Sequence, residues 1–186
     1  MAETAELTQQ NYADAIKNYL MSLGSANTTQ QEAMAIEGLA RSHLASQNYR
    51  EAIRYYKLLE SKYSQTKNLG GHPYGISAPL QLYTIGILDR KNIYEKDSLL
   101  FTYQMIKDGH WLISPSSYYF FKAEYGSILE IDIDSTESKF ERTLDFNQFI
   151  NNFVIPAIKE RSGFSVFNKA DETRRIYIKA NDDKYL

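Results

Sequence analysis

Residues 36–63, IEGLARSHLASQNYREAIRYYKLLESKY, decide the fold. Ile36, Leu39, Ala40 and His43 recur at i, i+3, i+4 and i+7, the spacing of one helical face. After a break at Gln47-Asn48-Tyr49, the residues Ala52, Tyr55, Tyr56 and Leu59 repeat it. The stretch predicts two amphipathic helices joined by a short turn. Ala40 and Ala52 leave room for the two backbones to approach, and Tyr49 and Tyr56 are placed to fill the space beside that contact.

This pattern resembles a tetratricopeptide (TPR) repeat. The family's small residue late in the first helix falls on Ala40, after the apolar Leu39. Its turn aromatic falls on Tyr49, its second-helix small residue on Ala52 and its later aromatic on Tyr56. Ile36 replaces the family's early aromatic, and no closing proline follows Tyr63. Upstream, Tyr12 and Ala15 have the spacing of Tyr49 and Ala52, 37 positions earlier, close to the period of about 34 residues for such repeats. Residues 7–23 thus resemble the second helix of a pair whose first helix is absent: the chain reads either as a piece of a longer protein or as one that opens on an isolated capping helix. A weaker third unit places Leu82, Ile85, Gly86 and Asp89 on a first helix. Tyr94, Asp97 and Phe101 then stand at the turn-aromatic, small and late-aromatic positions. The resemblance spans roughly residues 7–107.

Turn and cap signals set the remaining boundaries. Thr28 or Thr29, with Gln31 or Glu32 three residues on, predicts a helix start, and that helix runs to about Ser46. The next helix covers 49–64. Three glycines and a proline within residues 65–78, QTKNLGGHPYGISA, predict an irregular loop. A helix over 94–107 stops at Asp108-Gly109, and Ser114-Pro115 opens another that is apolar on more than one face. A polar turn at 134–138 and a helix over 146–161, kinked at Pro156, follow. Phe164, Val166, Ile176 and Ile178 alternate with polar residues on either side of a Lys-Ala-Asp-Glu turn, which predicts a short β-hairpin.

The expected fold is therefore all-α, an α-solenoid of about seven helices in TPR-like antiparallel pairs with a short C-terminal hairpin. The expected divisions are repeats over 1–110, further packed helices over 111–162, and a hairpin or the start of a truncated segment over 163–186.

At 186 residues and 43% hydrophobic, the chain can bury one sizeable core or form a short repeat array. Fifteen tyrosines and nine phenylalanines against one tryptophan point first to packing between helices, since tyrosine buries a ring and keeps a polar tip. A net charge of −2 with interleaved acids and bases argues against nucleic acid as partner. No cysteine occurs, which excludes disulfides, thiol catalysis and cysteine-ligated zinc. No apolar run approaches the ~18 residues of a membrane span.

No catalytic set is visible, and the expectation is a non-enzymatic chain without cofactor or metal. His43 lies on a packing face and reads as a satisfied interior histidine. His72 reads as an exposed loop histidine without a partner, and His110-Trp111 as a solvent-side cap past a helix end. Asp132 and Asp134 alternate as in a calcium loop, but the glycine and glutamate of an EF-hand are missing. The Gly-Gly pair lacks the Lys-Ser/Thr of a phosphate loop. What the resemblance implies is a concave groove lined by the first helix of each pair. Its positions fall on Glu37, Arg41 and Leu44, and in the third unit on Tyr83, Ile87 and Arg90. Arg41 and Arg90 would hold a carboxylate or carbonyl of an extended protein or peptide partner. The competing expectation is a ligand-sensing input domain of a larger signalling or receptor protein. A cavity shared by Tyr83, Trp111 and Tyr118 would favour it.

Overall fold

Apolar periodicity becomes a row of consecutive helices. A computed structural model describes residues 2–8, 10–90, 95–131, 138–150, 155, 164–168 and 175–179. The chain falls into two compact units, Met1–Thr136 and Glu137–Leu186. In the first, a π-helical turn at Thr4–Thr8 leads into α1 (Tyr12–Gly24), α2 (Thr29–Ala45) and α3 (Tyr49–Lys62). Then come α4 (Tyr74–Leu88), α5 (Lys96–Lys107) and α6 (Pro115–Leu129).

Side chains that satisfy otherwise unpaired backbone donors start three of these helices. The N-cap side chains of Asn11, Thr28 and Ser114 accept from the backbone N–H of Asp14, Gln31 and Ser117. Each of the first three helices packs on the next, and α5 pairs with α6, while α4 touches α5 much less. The seam is built as the spacing requires: Ala15, Leu39, Ala40, Ala52, Leu59, Leu82 and Ile85 have no solvent exposure. At about 1.5–3 kcal/mol for each fully buried leucine or isoleucine, these contacts hold the helices in consecutive packed pairs.

Glycine permits one of the closest approaches. Gly38 of α2 lies under the ring of Tyr19 from α1, and a Cβ there would sit 2.3 Å from the ring's Cε1. The tyrosine excess serves the same core. Tyr118 and Tyr125 of α6 are fully buried, and the Tyr125 hydroxyl donates to the Ile76 carbonyl at 2.7 Å, fixing α6 against the start of α4.

Several expectations are corrected here. Helix α4 begins at Tyr74, inside the stretch expected to be a loop to residue 78. Gly75 and Pro79 look like breakers yet belong to the helix. Gly75 is there because Trp111 Cζ2 and the Ser64 carbonyl leave no room for a Cβ, which would meet them at 2.7 and 3.0 Å. Trp111 is accordingly 5% exposed and part of the packing, not a solvent-side cap. His72 is half-buried, with its ring edge-on to Phe121 at 5.0 Å and stacked on Phe120 at 6.3 Å. His43 stacks on Tyr55 at 5.7 Å, but its buried Nδ1 has no hydrogen-bond partner, so it is interior without being satisfied. Phe101 is 68% exposed instead of filling a seam, consistent with the slight α4–α5 packing.

In the second unit α7 spans Lys139–Phe149, seven residues ahead of the expected start at 146. Ser138 and Glu141 explain this. The Ser138 hydroxyl accepts from the Glu141 N–H at 3.0 Å, and the Glu141 carboxylate accepts from the Ser138 N–H at 2.8 Å, a reciprocal capping box. Tyr94, residues 134–137 of the expected polar turn and the Pro156 kink lie outside the described residues. β1 (Phe164–Asn168) pairs antiparallel with β2 (Arg175–Lys179), Val166 opposite Tyr177. The residues that would close the expected hairpin, 169–174, also lie outside the described set.

Candidate functional site

The candidate site is the face of α2 that carries Glu37, Arg41 and Leu44. Four residues separate Glu37 from Arg41, so both project from one side of the helix. Between α2 and α4 opens a cleft of about 380 Å³ lined by Glu37, Arg41, Leu44, Tyr74, Ser77 and Gln81, among others. Ser77 and Gln81 are also four residues apart and share a face of α4. A second cleft, of about 410 Å³ and bordered by Tyr19, Met34 and Leu69, also includes Glu37 and Arg41. The ion pair therefore stands where the two clefts meet.

Arg41 is heavily engaged. Its Nε and Nη2 donate to the two carboxylate oxygens of Glu6, each at 2.9 Å, in the two-pronged geometry favoured between guanidinium and carboxylate. Nη2 also reaches the Tyr19 hydroxyl at 3.3 Å. Nη1 lies 3.8 Å from Glu37 Oε1, an ion pair without a close hydrogen bond. The Tyr19 hydroxyl donates to Glu6 at 2.6 Å, and the Tyr74 hydroxyl donates to Glu37 at 2.7 Å. Glu6 is 5% exposed, whereas the Arg41 side chain keeps 36%.

Proton affinities follow this pairing. Burial by itself raises the Glu6 pKa, but hydrogen bonds from Arg41 and Tyr19 and the Arg41 charge outweigh it, so the carboxyl ends below its usual value. The Glu6 hydrogen bond raises the Arg41 pKa further despite partial burial. Burial first, and then the hydrogen bonds to Glu6 and Glu37, push the Tyr19 and Tyr74 phenols up. At neutral pH the Arg41 guanidinium therefore faces an ionised Glu6, with the Tyr19 and Tyr74 phenols neutral.

Of the six expected groove residues, Glu37, Arg41 and Leu44 come together. Tyr83, Ile87 and Arg90 do not border the α2–α4 cleft. Tyr83 is half-buried and Ile87 is 63% exposed on other faces of α4. Arg90 follows the helix cap Asp89 with a φ of 52°, so it leaves the helix altogether. In their place α4 contributes Tyr74, Ser77 and Gln81. Glu6 and Tyr19 complete the network, and nothing in local spacing marked Glu6.

Trp111 lines a separate cleft of about 490 Å³ with Glu60, Gly75, Phe101, Met105 and His110. Tyr83 and Tyr118 are not among its lining residues, and Tyr118 is fully buried. The buried Trp111 Nε1 has no hydrogen-bond partner, while His110 Nε2 lies 3.2 Å from Gln65 Nε2. Among the described residues no group of three or more acidic, histidine or cysteine side chains is placed to hold a metal ion. No described helix is long and apolar enough to cross a membrane. The chain matches no protein-family description, and no curated protein and no solved structure resembles it.

Proposed function

We propose that this chain is a non-enzymatic protein-interaction module of TPR-like architecture, with α2 and α4 as the first helices of successive pairs and a hairpin over residues 164–179. Its partner is a protein or peptide segment that lies along the α2–α4 groove. The observation that carries this reading is the open cleft where Arg41 and Glu37 meet Ser77, Gln81 and the apolar edge of Leu44. An extended segment offers alternating carbonyls, amides and side chains, and that mixture of charge, amide and aliphatic surface is suited to receive them.

The test is a peptide-array screen with the whole chain, followed by NMR mapping of the strongest binder. Shifts should centre on Glu37, Leu44, Ser77 and Gln81, and Gln81→Trp, which fills the cleft from an exposed position, should abolish binding. Shifts confined to other faces, or full binding by the Gln81 variant, would refute the assignment. Gln81 is a cleaner target than Arg41, because reversing the Arg41 charge would leave buried Glu6 unpaired and cost about 3–5 kcal/mol of stability.

The second reading, a small-molecule input domain, would use the Trp111 cleft, although neither Tyr83 nor Tyr118 lines it. Native mass spectrometry of the purified chain separates the two readings. A retained organic mass lost on Trp111→Ala supports the input domain.

A further inference from the structure

Glu6 occupies the group that the proposed groove would use. Both of its oxygens are committed to the Arg41 fork, and the Tyr19 hydroxyl holds Oε2 as well. The segment bearing Glu6 stands in both clefts: Ala2 and Glu3 line the one beside α1, and Glu6 lines the one beside α4. Yet this segment is slight. Its helical part covers residues 2–8, with a π-helical turn at Thr4–Thr8, and is followed by a backbone bond from Asn11 N–H to the Ala5 carbonyl at 2.8 Å. Ala5 and Glu6 are buried, but the turn packs on α1 far less extensively than α1 packs on α2, and segments with few such contacts open locally at low cost.

We infer that Thr4–Thr8 is a displaceable strap, and that Glu6 is an internal stand-in for an acidic side chain of the partner peptide. The inference rests on the groove reading above. The geometry commits to a side-chain carboxylate, because the group that fits the fork now is a glutamate presented by a single helical turn. Exchange is charge-neutral: one carboxylate leaves Arg41 for solvent and another takes its place, while Glu37 and Tyr74 keep their own bond. Occupation by Glu6 lowers the apparent affinity by the fraction of molecules whose strap is open. The strap thus sets a threshold on how acidic and how well fitted a partner must be.

The experiment is fluorescence-anisotropy titration of the whole chain with labelled hexaglutamate, and with hexaglutamine as the uncharged control. Glu6→Gln, which keeps the shape and removes the charge, should tighten hexaglutamate binding about tenfold or more, a difference of about 1.4 kcal/mol. Tyr19→Phe removes only the second tether and should tighten it less. Hexaglutamine should bind neither protein appreciably. In the unaltered chain, saturating hexaglutamate should speed hydrogen exchange at the Asn11 amide, a readout that does not depend on any variant folding. Equal hexaglutamate affinity for the unaltered chain and Glu6→Gln overturns the strap and leaves the groove standing. Failure of both to bind overturns strap and acidic partner together, and equal binding of hexaglutamine shows that no carboxylate is read.

Discussion

Replacing Gly38 by alanine tests the contact that brings α1, α2 and the candidate site together. A Cβ at this position would lie 2.3, 2.4 and 2.5 Å from Cε1, Cζ and Cδ1 of Tyr19, against an optimum of about 3.5–4.0 Å between carbons. The ring must therefore move by more than ~1 Å. It cannot do so freely, since its hydroxyl is held by Glu6 at 2.6 Å and by Arg41 at 3.3 Å. Overpacking of this kind costs about 1–3 kcal/mol, and loss of a hydrogen bond to a charged group adds about 1.5–3 kcal/mol. The better helix propensity of alanine returns about 1 kcal/mol. The net expectation is a loss of about 1.5–5 kcal/mol, a large part of a typical domain's stability. Urea unfolding followed by circular dichroism at about 222 nm measures it, with the slope against denaturant held as a check on two-state behaviour. The decisive comparison is the double variant. In a Tyr19→Ala background, Gly38→Ala should be neutral or should stabilise by about 1 kcal/mol, because only helix propensity remains. A Gly38→Ala protein more stable than the parent would refute the close approach of Tyr19 and the placement of Glu6 that depends on it.

Three further outcomes are expected. Burial lowers the His43 pKa below its ordinary 6.5, with Glu51 opposing and Arg54 adding to the shift. As pH falls the unfolded chain takes the proton first, so stability present above pH 6.5 drains away down to the folded pKa. The loss between about pH 7.5 and about pH 5.5 should be smaller in His43→Leu, and identical losses would refute the assignment. Gly75→Ala should cost about 1–3 kcal/mol by driving a methyl into Trp111, and the emission of this single tryptophan should shift to the red as its packing loosens. Ser138→Ala should remove the capping box of α7 and lower stability by about 1 kcal/mol, read as lost helicity in the unit that begins at Glu137.

The pairing of α2 with α3 was legible because apolar spacing is a local property, and Ala40, Ala52 and Leu59 are buried where that spacing puts them. The start of α4 was not. Gly75 and Pro79 carry the local signature of a loop, and the reason for a glycine in this helix is Trp111, far along the chain. Ser138-x-x-Glu141 was a readable start signal that a stronger aromatic pattern further on obscured. The candidate site divides in the same way. Glu37, Arg41 and Leu44 followed from the register of one regular helix. Tyr83, Ile87 and Arg90 depended on setting Gly86 at the family's small position in the third unit, and Ser77 and Gln81 face the cleft instead. Glu6 had no signal at all, since an acid in a polar N-terminal stretch acquires meaning only once Arg41 lies beside it.

Tyrosine rather than phenylalanine at three seams has a consequence for how the site can be studied. Tyr19 of α1 meets Arg41, Tyr63 at the end of α3 donates to Glu32 at 2.7 Å, and Tyr74 of α4 donates to Glu37 at 2.7 Å. Each neighbour of α2 therefore reaches a charged residue of α2 through a phenol tip. Apolar contact brings helices together without fixing their rotation, whereas a hydroxyl bound to one carboxylate or guanidinium fixes it. The charges on α2 thus orient the fold and line the groove at once. Substituting Glu37 or Arg41 alters stability and binding together, so loss of a partner in those variants says little about contact. Ser77 and Gln81 line the same cleft without holding a neighbouring helix, and a loss of binding there, at unchanged stability, is the result that speaks for the groove alone.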